Sequence, residues 1–446
     1  MAGPSDKARF YLEQSATELN ELERKKIFTR EEISSIAKKR SDFEHIINAR
    51  GSHPEDYMRY IEFEKNVDAL RRKRIKRLGA RYKGHGQRTI YFLYNRATRK
   101  FSGDLTLWMQ YIDFARKDKA YRRLNDIFTS VARLHPTKPD IWILAANYFM
   151  ETQADITNAR SYMQRGLRFC KNSETMWVEY AKLETIYVGK IAGRRKILGL
   201  DVDRTNKAET DEDGDENMIA LPKVTAEDVN PSLKQNDGVD EVALQNLASA
   251  PVLTGAIPLA IFDAAMKQFQ GKPSMAERLF DMFAEFEQLS CIPHILEHVL
   301  DYLQEHYPHA IEADICRFRM QLFGCDATGP ELAAALSQAL DQISITVQQH
   351  PNEKTRVSEV AVRHLLSLHQ LVADADAGLH KAWRAALRKY VRGMEEGEGT
   401  GDKIASVVES LRNEGKKHES DVLARTGIKY WAANEGLQKC VSGPER

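Results

Sequence analysis

Large aromatic residues return at a fixed interval in the first half of this chain, and that interval restricts the fold more than any other feature. Trp108 in "LWMQYIDFA" is followed 34 residues later by Trp142 in "IWILAANYFME", and 35 residues after that by Trp177 in "MWVEYAKLE". Upstream, "DYMRYIEFE" has the same shape with Tyr57 in the tryptophan position. At +3 stand Tyr60, Tyr111, Ala145 and Tyr180, and at +6 Phe63, Phe114, Tyr148 and Leu183. Steps of three and six hold these side chains along one stripe of an α-helix. The last three copies are each preceded by a second helical pattern and a polar break, with Asp104, Asp140 and Ser173 placed as helix caps. A helix–turn–helix unit of this size cannot cover its own apolar stripe and must stack on a neighbour. The expected fold is therefore all-α, a right-handed α-α superhelix. Tyr57, Tyr60, Trp108, Tyr111, Trp142, Trp177 and Tyr180 are its packing residues, filling grooves between helix pairs and touching no ligand.

Composition agrees with a folded chain. Of 446 residues, 42% are apolar and 29% charged, and the formal net charge is +1, so affinity for a polyanion must come from a local patch. Five cysteines, Cys170, Cys291, Cys316, Cys325 and Cys440, are scattered without C-x-x-C spacing, which fits reduced thiols in the nucleus or cytosol. The first thirty residues lack the apolar core of a signal peptide, and no apolar run reaches 18 residues, so a soluble protein with no membrane partner is expected.

Between the first two aromatic units the interval stretches to 51 residues. The excess holds a basic segment, residues 71–88, with nine lysines or arginines and no acid: Arg71, Arg72, Lys73, Arg74, Lys76, Arg77, Arg81, Lys83 and Arg88. Such a cluster can neutralise RNA phosphates, bind an acidic partner or serve nuclear import. The plain reading is an extended helix anchored by Val67, Leu70, Ile75 and Leu78, its basic face merely solvated. Ahead of it Thr29 and Glu32 form a capping-box signal, and residues 1–50 read as an atypical capping region of the stack. Residues 51–200 read as the repeat array. Residues 201–250 are polar, with eight acids against two bases in 201–217, and read as an acidic disordered linker. Helical patterning resumes near Pro258 and makes 251–440 a second, repeat-like helical region; "TRVSEVAVRHLLSLHQLV" shows one apolar face there.

Signals for catalysis are sparse. "HILEH", His294 to His298, matches the H-x-x-E-H form of inverted zinc peptidases, with two histidines on one helix face and Glu297 between them. Nothing downstream supplies a third ligand, and i, i+4 histidine pairs arise by accident. No phosphate-binding loop, nucleophile elbow or paired zinc-finger cysteines occur. No enzyme, cofactor or metal is expected.

Arg-Ala on a second helix, then Leu-Trp-x-x-Tyr-x-x-Phe on the next, resembles the half-a-TPR (HAT) repeat; "NRATRKFSGDLTLWMQYIDF" is close to that consensus and "QRGLRFCKNSETMWVEYAKLE" has Gly166 where Ala is usual. Over residues 11–79 the pieces "FTREEI", "AKKRSDFE", "DYMRYIEFEKNV" and "LRRKRIKRLG" resemble the U3 small nucleolar RNA-associated protein 6 family, and the resemblance extends over about residues 10 to 190. It implies a scaffold in the UTP-B module of the small-subunit processome, in the nucleolus. The implied partners are β-propeller (WD-repeat) subunits of UTP-B, with the U3 small nucleolar ribonucleoprotein and pre-ribosomal RNA within the assembly. The alternatives are a HAT scaffold of the spliceosome or of messenger RNA 3′-end cleavage, or direct RNA binding through the basic segment.

Overall fold

A computed structural model describes residues 4–79, 86–197, 253–324, 330–369, 377–395, 400–432 and 434–441. Among these, nineteen α-helices and one short 3-10 turn account for the regular structure, with no strand. The described all-α architecture agrees with the sequence expectation. The chain divides into two compact units, Met1–Ala145 and Ala146–Arg446. The expected acidic linker at 201–250 lies outside the described residues.

The first unit is built from helices α1 (Pro4–Arg24), α2 (Arg30–Asn48), α3 (Pro54–Leu78), α4 (Gly86–Lys100), α5 (Leu105–Lys117) and α6 (Tyr121–Leu134). Helix α7 (Pro139–Thr152) begins in it. Local sequence sets the boundaries. Thr29 and Glu32 exchange both capping-box bonds, with Glu32 N to Thr29 Oγ1 at 3.3 Å and Thr29 N to Glu32 Oε2 at 2.9 Å. Asp104 caps α5 through the backbone N–H groups of Thr106 and Leu107. Asp140, expected as a cap, lies inside the first turn of α7 instead, because Pro139 already occupies a helical position, where its missing N–H costs nothing. The stretched interval is explained by helix length: α3 runs for 25 residues where α5 has 13.

The aromatic positions repeat their contacts as well as their spacing. Trp108 Nε1 donates to Ser102 O and Trp142 Nε1 to Pro136 O, both at 3.0 Å and both six residues back, in the turn that precedes the helix. Each indole thus fills the groove and gives a carbonyl of the preceding turn a hydrogen-bond donor. One helical turn later, Tyr60 stacks on Phe43 with centroids 5.0 Å apart, and Tyr111 on Tyr94 with centroids 4.9 Å apart. In both cases the partner ring lies seventeen residues earlier, on the preceding helix. Tyr57, Tyr60, Trp108, Tyr111 and Trp142 are buried.

In the second unit, α8 (Ile156–Phe169) and α9 (Glu174–Ile197) continue the pattern. Trp177 Nε1 donates to Lys171 O at 3.0 Å, again six residues back. Tyr180 is buried, while Trp177 is only half-buried. Ser173 Oγ accepts from Met176 N at the start of α9. Helices α10 (Ala256–Gln268) and α11 (Pro273–Ala284) pack directly on α9. Glu174 clamps α11, bonded to its N-cap Lys272 at 2.7 Å and to Arg278 at 2.6 Å. The helix before the acidic stretch and the two after it therefore belong to one stack. The remaining helices are α12 (Ile292–His306), α13 (Ile311–Gln321), α14 (Pro330–Gln349), α15 (Lys354–Ser367), α16 (Ala377–Gly393), α17 (Asp402–Asn413), α18 (Lys417–Ile428) and α19 (Glu435–Val441). Ile315, Val357, Ala361, Leu365, Val391 and Val408 belong to one buried cluster there. Trp383 joins them and bonds Leu365 O at 2.7 Å. No described helix is long and apolar enough to cross a membrane.

Candidate functional site

The basic segment begins as the last two turns of α3, and helical periodicity sorts its charges. Positions 71, 74 and 75 fall on one face and 72, 73, 76 and 77 on the others. On the inward face Arg71 is buried, paired with Asp68 and lying 3.7 Å from Glu18 Oε1 on α1. Arg74 reaches across to Glu32 with two bonds of 2.6 Å and covers the Phe28 ring at 4.8 Å. This bidentate hold is the strong form of the carboxylate–guanidinium pair. Hydrogen bonding from Arg74 is the largest cause that lowers Glu32 from 4.5 to about 2. Ile75 packs against the small cluster of Leu19, Leu22, Ile27, Phe28 and Ile33.

The outward face is different. Arg72 keeps a bond of 2.8 Å to Asp68 Oδ2. Lys73, Lys76 and Arg77 are exposed and join no ion pair among the described residues. The overhang is thus anchored by Ile75 and two inward arginines. Of the other three expected anchors, Val67 is half-buried, while Leu70 and Leu78 point to solvent, 42% and 54% exposed. Gly79, with φ +60°, ends α3 in the left-handed conformation that suits glycine. Arg81 and Lys83 lie outside the described residues. Gly86 starts α4 pressed on Asp68 and Arg71, where a Cβ would collide with both side chains. Arg88, exposed on α4, borders a cleft of about 660 Å³ between α1 and α4.

Two buried ion pairs in the first unit escape sequence reasoning. Arg40 on α2 meets Glu64 on α3 at 2.7 and 2.8 Å, and Arg96 on α4 meets Glu44 on α2 at 2.8 and 2.9 Å. Burial works against charge on Arg40, but Glu64 outweighs it and leaves the guanidinium more basic than usual. Arg96 also covers the Tyr11 ring at 4.0 Å. The only sequence trace is the Arg-Ala of "NRATRK", which marks Arg96 without disclosing its partner.

In the second unit the "HILEH" histidines take separate roles. His298 bonds Asp263 Oδ1 at 3.0 Å and sets its ring edge-on to Phe262, while His294 is exposed. Among the described residues no group of three or more histidines, cysteines or acids is placed to hold a metal ion.

Residues 12–98 match the family described as U3 small nucleolar RNA-associated protein 6. The protein of that name from Schizosaccharomyces pombe is 37% identical over 199 residues, covering 44% of this chain and 41% of its own length. The human homolog is 31% identical over 185 residues, 40% of this chain and 31% of its own, and the Dictyostelium discoideum homolog 25% over 270, 60% and 43%. The resemblance read from the N-terminal block is borne out there. The matches span well under half the length of each relative.

Proposed function

We propose, from the likeness of its N-terminal helices to the U3 small nucleolar RNA-associated protein 6 family, that this chain is a noncatalytic scaffold in U3-dependent processing of pre-18S ribosomal RNA. It would act in the nucleolus, within the small-subunit processome, holding β-propeller subunits of the UTP-B module. The observation that carries the reading is the family match over residues 12–98. Repeats alone would suit a scaffold of the spliceosome or of messenger RNA cleavage equally well. Stacked helix pairs present extended surfaces suited to holding other proteins, which supports a binding role. Residues 201–250 are read as an acidic linker within the second unit.

A second reading, direct RNA contact, is favoured by the unpaired cations of α3. Purification of the tagged full chain, with mass spectrometry and RNA sequencing, should recover β-propeller proteins and U3 RNA; splicing or cleavage factors in their place refute the assignment. Changing Lys73, Lys76 and Arg77 to Gln should reduce the salt slope of RNA binding by about 2 to 3 units, at about 0.7 to 0.9 per lost phosphate contact. An unchanged slope, with the variant excluded from the nucleus, would assign the stripe to import instead.

A further inference from the structure

Charge in the first unit is unevenly divided among helices. Helix α4 carries Arg88, Arg96, Arg99 and Lys100 with no acid, and α6 carries Arg122, Arg123 and Arg133 against Asp126 alone. Two of these cations are structural: Arg96 is closed on Glu44, and Lys100 donates to the Ile47 carbonyl at 2.8 Å. The other five, Arg88, Arg99, Arg122, Arg123 and Arg133, are exposed and form no ion pair among the described residues. Two of them, Arg88 and Arg123, border the same cleft, where a polyanion would relieve the repulsion between like charges.

Between these helices, over α5, lies a cleft of about 350 Å³. Arg88, Phe92 and Asn95 form one wall and Arg123, Asp126 and Ser130 the other, with Trp108 and Tyr111 at the base. The Phe92 ring meets Tyr11 at 5.4 Å and the Arg96 guanidinium at 5.4 Å, yet 42% of the residue stays exposed. Arg123 lies over Tyr91 at 4.2 Å, which holds its guanidinium at the rim.

We propose that this cleft binds single-stranded RNA. Arg88 and Arg123 face each other across it as phosphate contacts, and the exposed Phe92 ring is a platform for one unstacked base. The Asn95 amide, the Ser130 hydroxyl and the Asp126 carboxylate offer donors and acceptors to the edge of that base. This combination of a cationic groove with an aromatic platform is how single strands are held, and stacking demands a base that a duplex keeps inside its helix. An acidic peptide is disfavoured because its carboxylates would leave the exposed part of the Phe92 ring unused, whereas a nucleotide brings a flat base as well as its charge. The site is separate from the α3 stripe of Lys73, Lys76 and Arg77. It deepens the RNA-contact reading, but its test uses the isolated chain and is independent of which assembly the chain joins.

The test is fluorescence anisotropy of the full chain with a labelled single strand of about twelve nucleotides, the same strand in duplex, and a poly-glutamate peptide, between about 50 and 200 mM salt. The double change Arg88→Gln and Arg123→Gln should lower single-strand affinity and reduce the salt slope by about 1.4, at about 0.7 per lost phosphate contact on a single strand. Phe92→Ala should weaken single-strand binding by roughly 5-fold to 100-fold, leaving the slope and the duplex affinity unchanged. All three side chains are exposed but touch neighbouring rings, Arg123 on Tyr91 and Phe92 on Tyr11, so a small fall in melting temperature with retained helicity is expected, and circular dichroism separates lost contact from lost fold. The proposal is overturned by an absence of single-strand binding, or by equal affinity for duplex together with indifference to Phe92→Ala. Poly-glutamate binding that these changes abolish, with RNA binding intact, would overturn it in favour of an acidic protein partner. Co-purification of U3 RNA could survive each of these outcomes.

Discussion

Replacing Trp108 tests the repeat packing directly, because Trp177 provides a control in the same motif. Trp108 is 5% exposed, and burying a tryptophan removes about 200 Å² from water. At about 25 cal/mol per Å² the transfer is about 5 kcal/mol, and compact unfolded chains reduce that to roughly 3 to 4. Trp108→Ala is therefore expected to cost about 3 to 5 kcal/mol, in line with other large-to-small changes in cores. The indole bond to Ser102 O contributes a smaller share. His135 Nε2 also lies 2.7 Å from that carbonyl, so Trp108→Phe orphans no acceptor and should cost about 1 to 2 kcal/mol. Trp177 makes the same type of bond but is half-buried, and Trp177→Ala should cost about 1 to 2 kcal/mol less than Trp108→Ala. The assay is denaturant unfolding of the full chain followed by circular dichroism. Changes in the denaturant slope would reveal whether the two units unfold separately, which stacked repeats permit. A cost below about 1 kcal/mol for Trp108→Ala, or equal costs for Trp108 and Trp177, would refute the argument.

Two further outcomes concern charge. Arg40→Ala should cost about 3 to 5 kcal/mol by stranding Glu64, whereas Arg40→Met with Glu64→Leu should recover most of the loss, as seen by thermal melting. Glu32 titrates lower when folded than its usual 4.5, so its pairing stabilises the protein above about pH 4.5 and the contribution disappears as pH falls toward 2. Partial exposure limits it to about 1 kcal/mol. Glu32→Gln should flatten the decline in melting temperature over that acid range, and an identical decline in both proteins would show that the pair contributes nothing.

The helix pairs were legible because tryptophan and tyrosine are rare and recur at one interval. Their partners were less so. Phe43 and Tyr94 sit among many apolar residues, and only packing singles them out as the rings on which Tyr60 and Tyr111 stack. The stretched interval between Tyr57 and Trp108 announced an irregularity without its cause, a first helix nearly twice the length of the next. Continuity of the stack past the acidic stretch was hidden for a different reason. It depends on α9 meeting α10 and α11 through pairs such as Glu174 with Lys272, 98 residues apart, and local patterns do not specify contacts at that range.

Charge shows the same limit from two sides. The basic run of 71–88 is conspicuous as a count, yet a helix distributes consecutive residues around its axis, so a run is never one surface. Arg71 and Arg74 turn inward to acids 53 and 42 residues away, and only Lys73, Lys76 and Arg77 are left unpaired on α3. The arginines that border the α4–α6 cleft are inconspicuous for the converse reason. Arg88 and Arg123 stand 35 residues apart, and Arg123 closes a separate basic window, "RKDKAYRR", that gives no hint of its counterpart on α4. Stacking turns each dispersed set into part of one face, because the apolar residues between them are consumed in the core. A partner surface in a helical repeat should therefore be sought by summing charge over corresponding faces of successive helices. On that measure the α4–α6 face stands beside the conspicuous run: Arg88 and Arg123 border one cleft with a half-open aromatic ring there, whereas the three unpaired cations of α3 have no such ring on their helix.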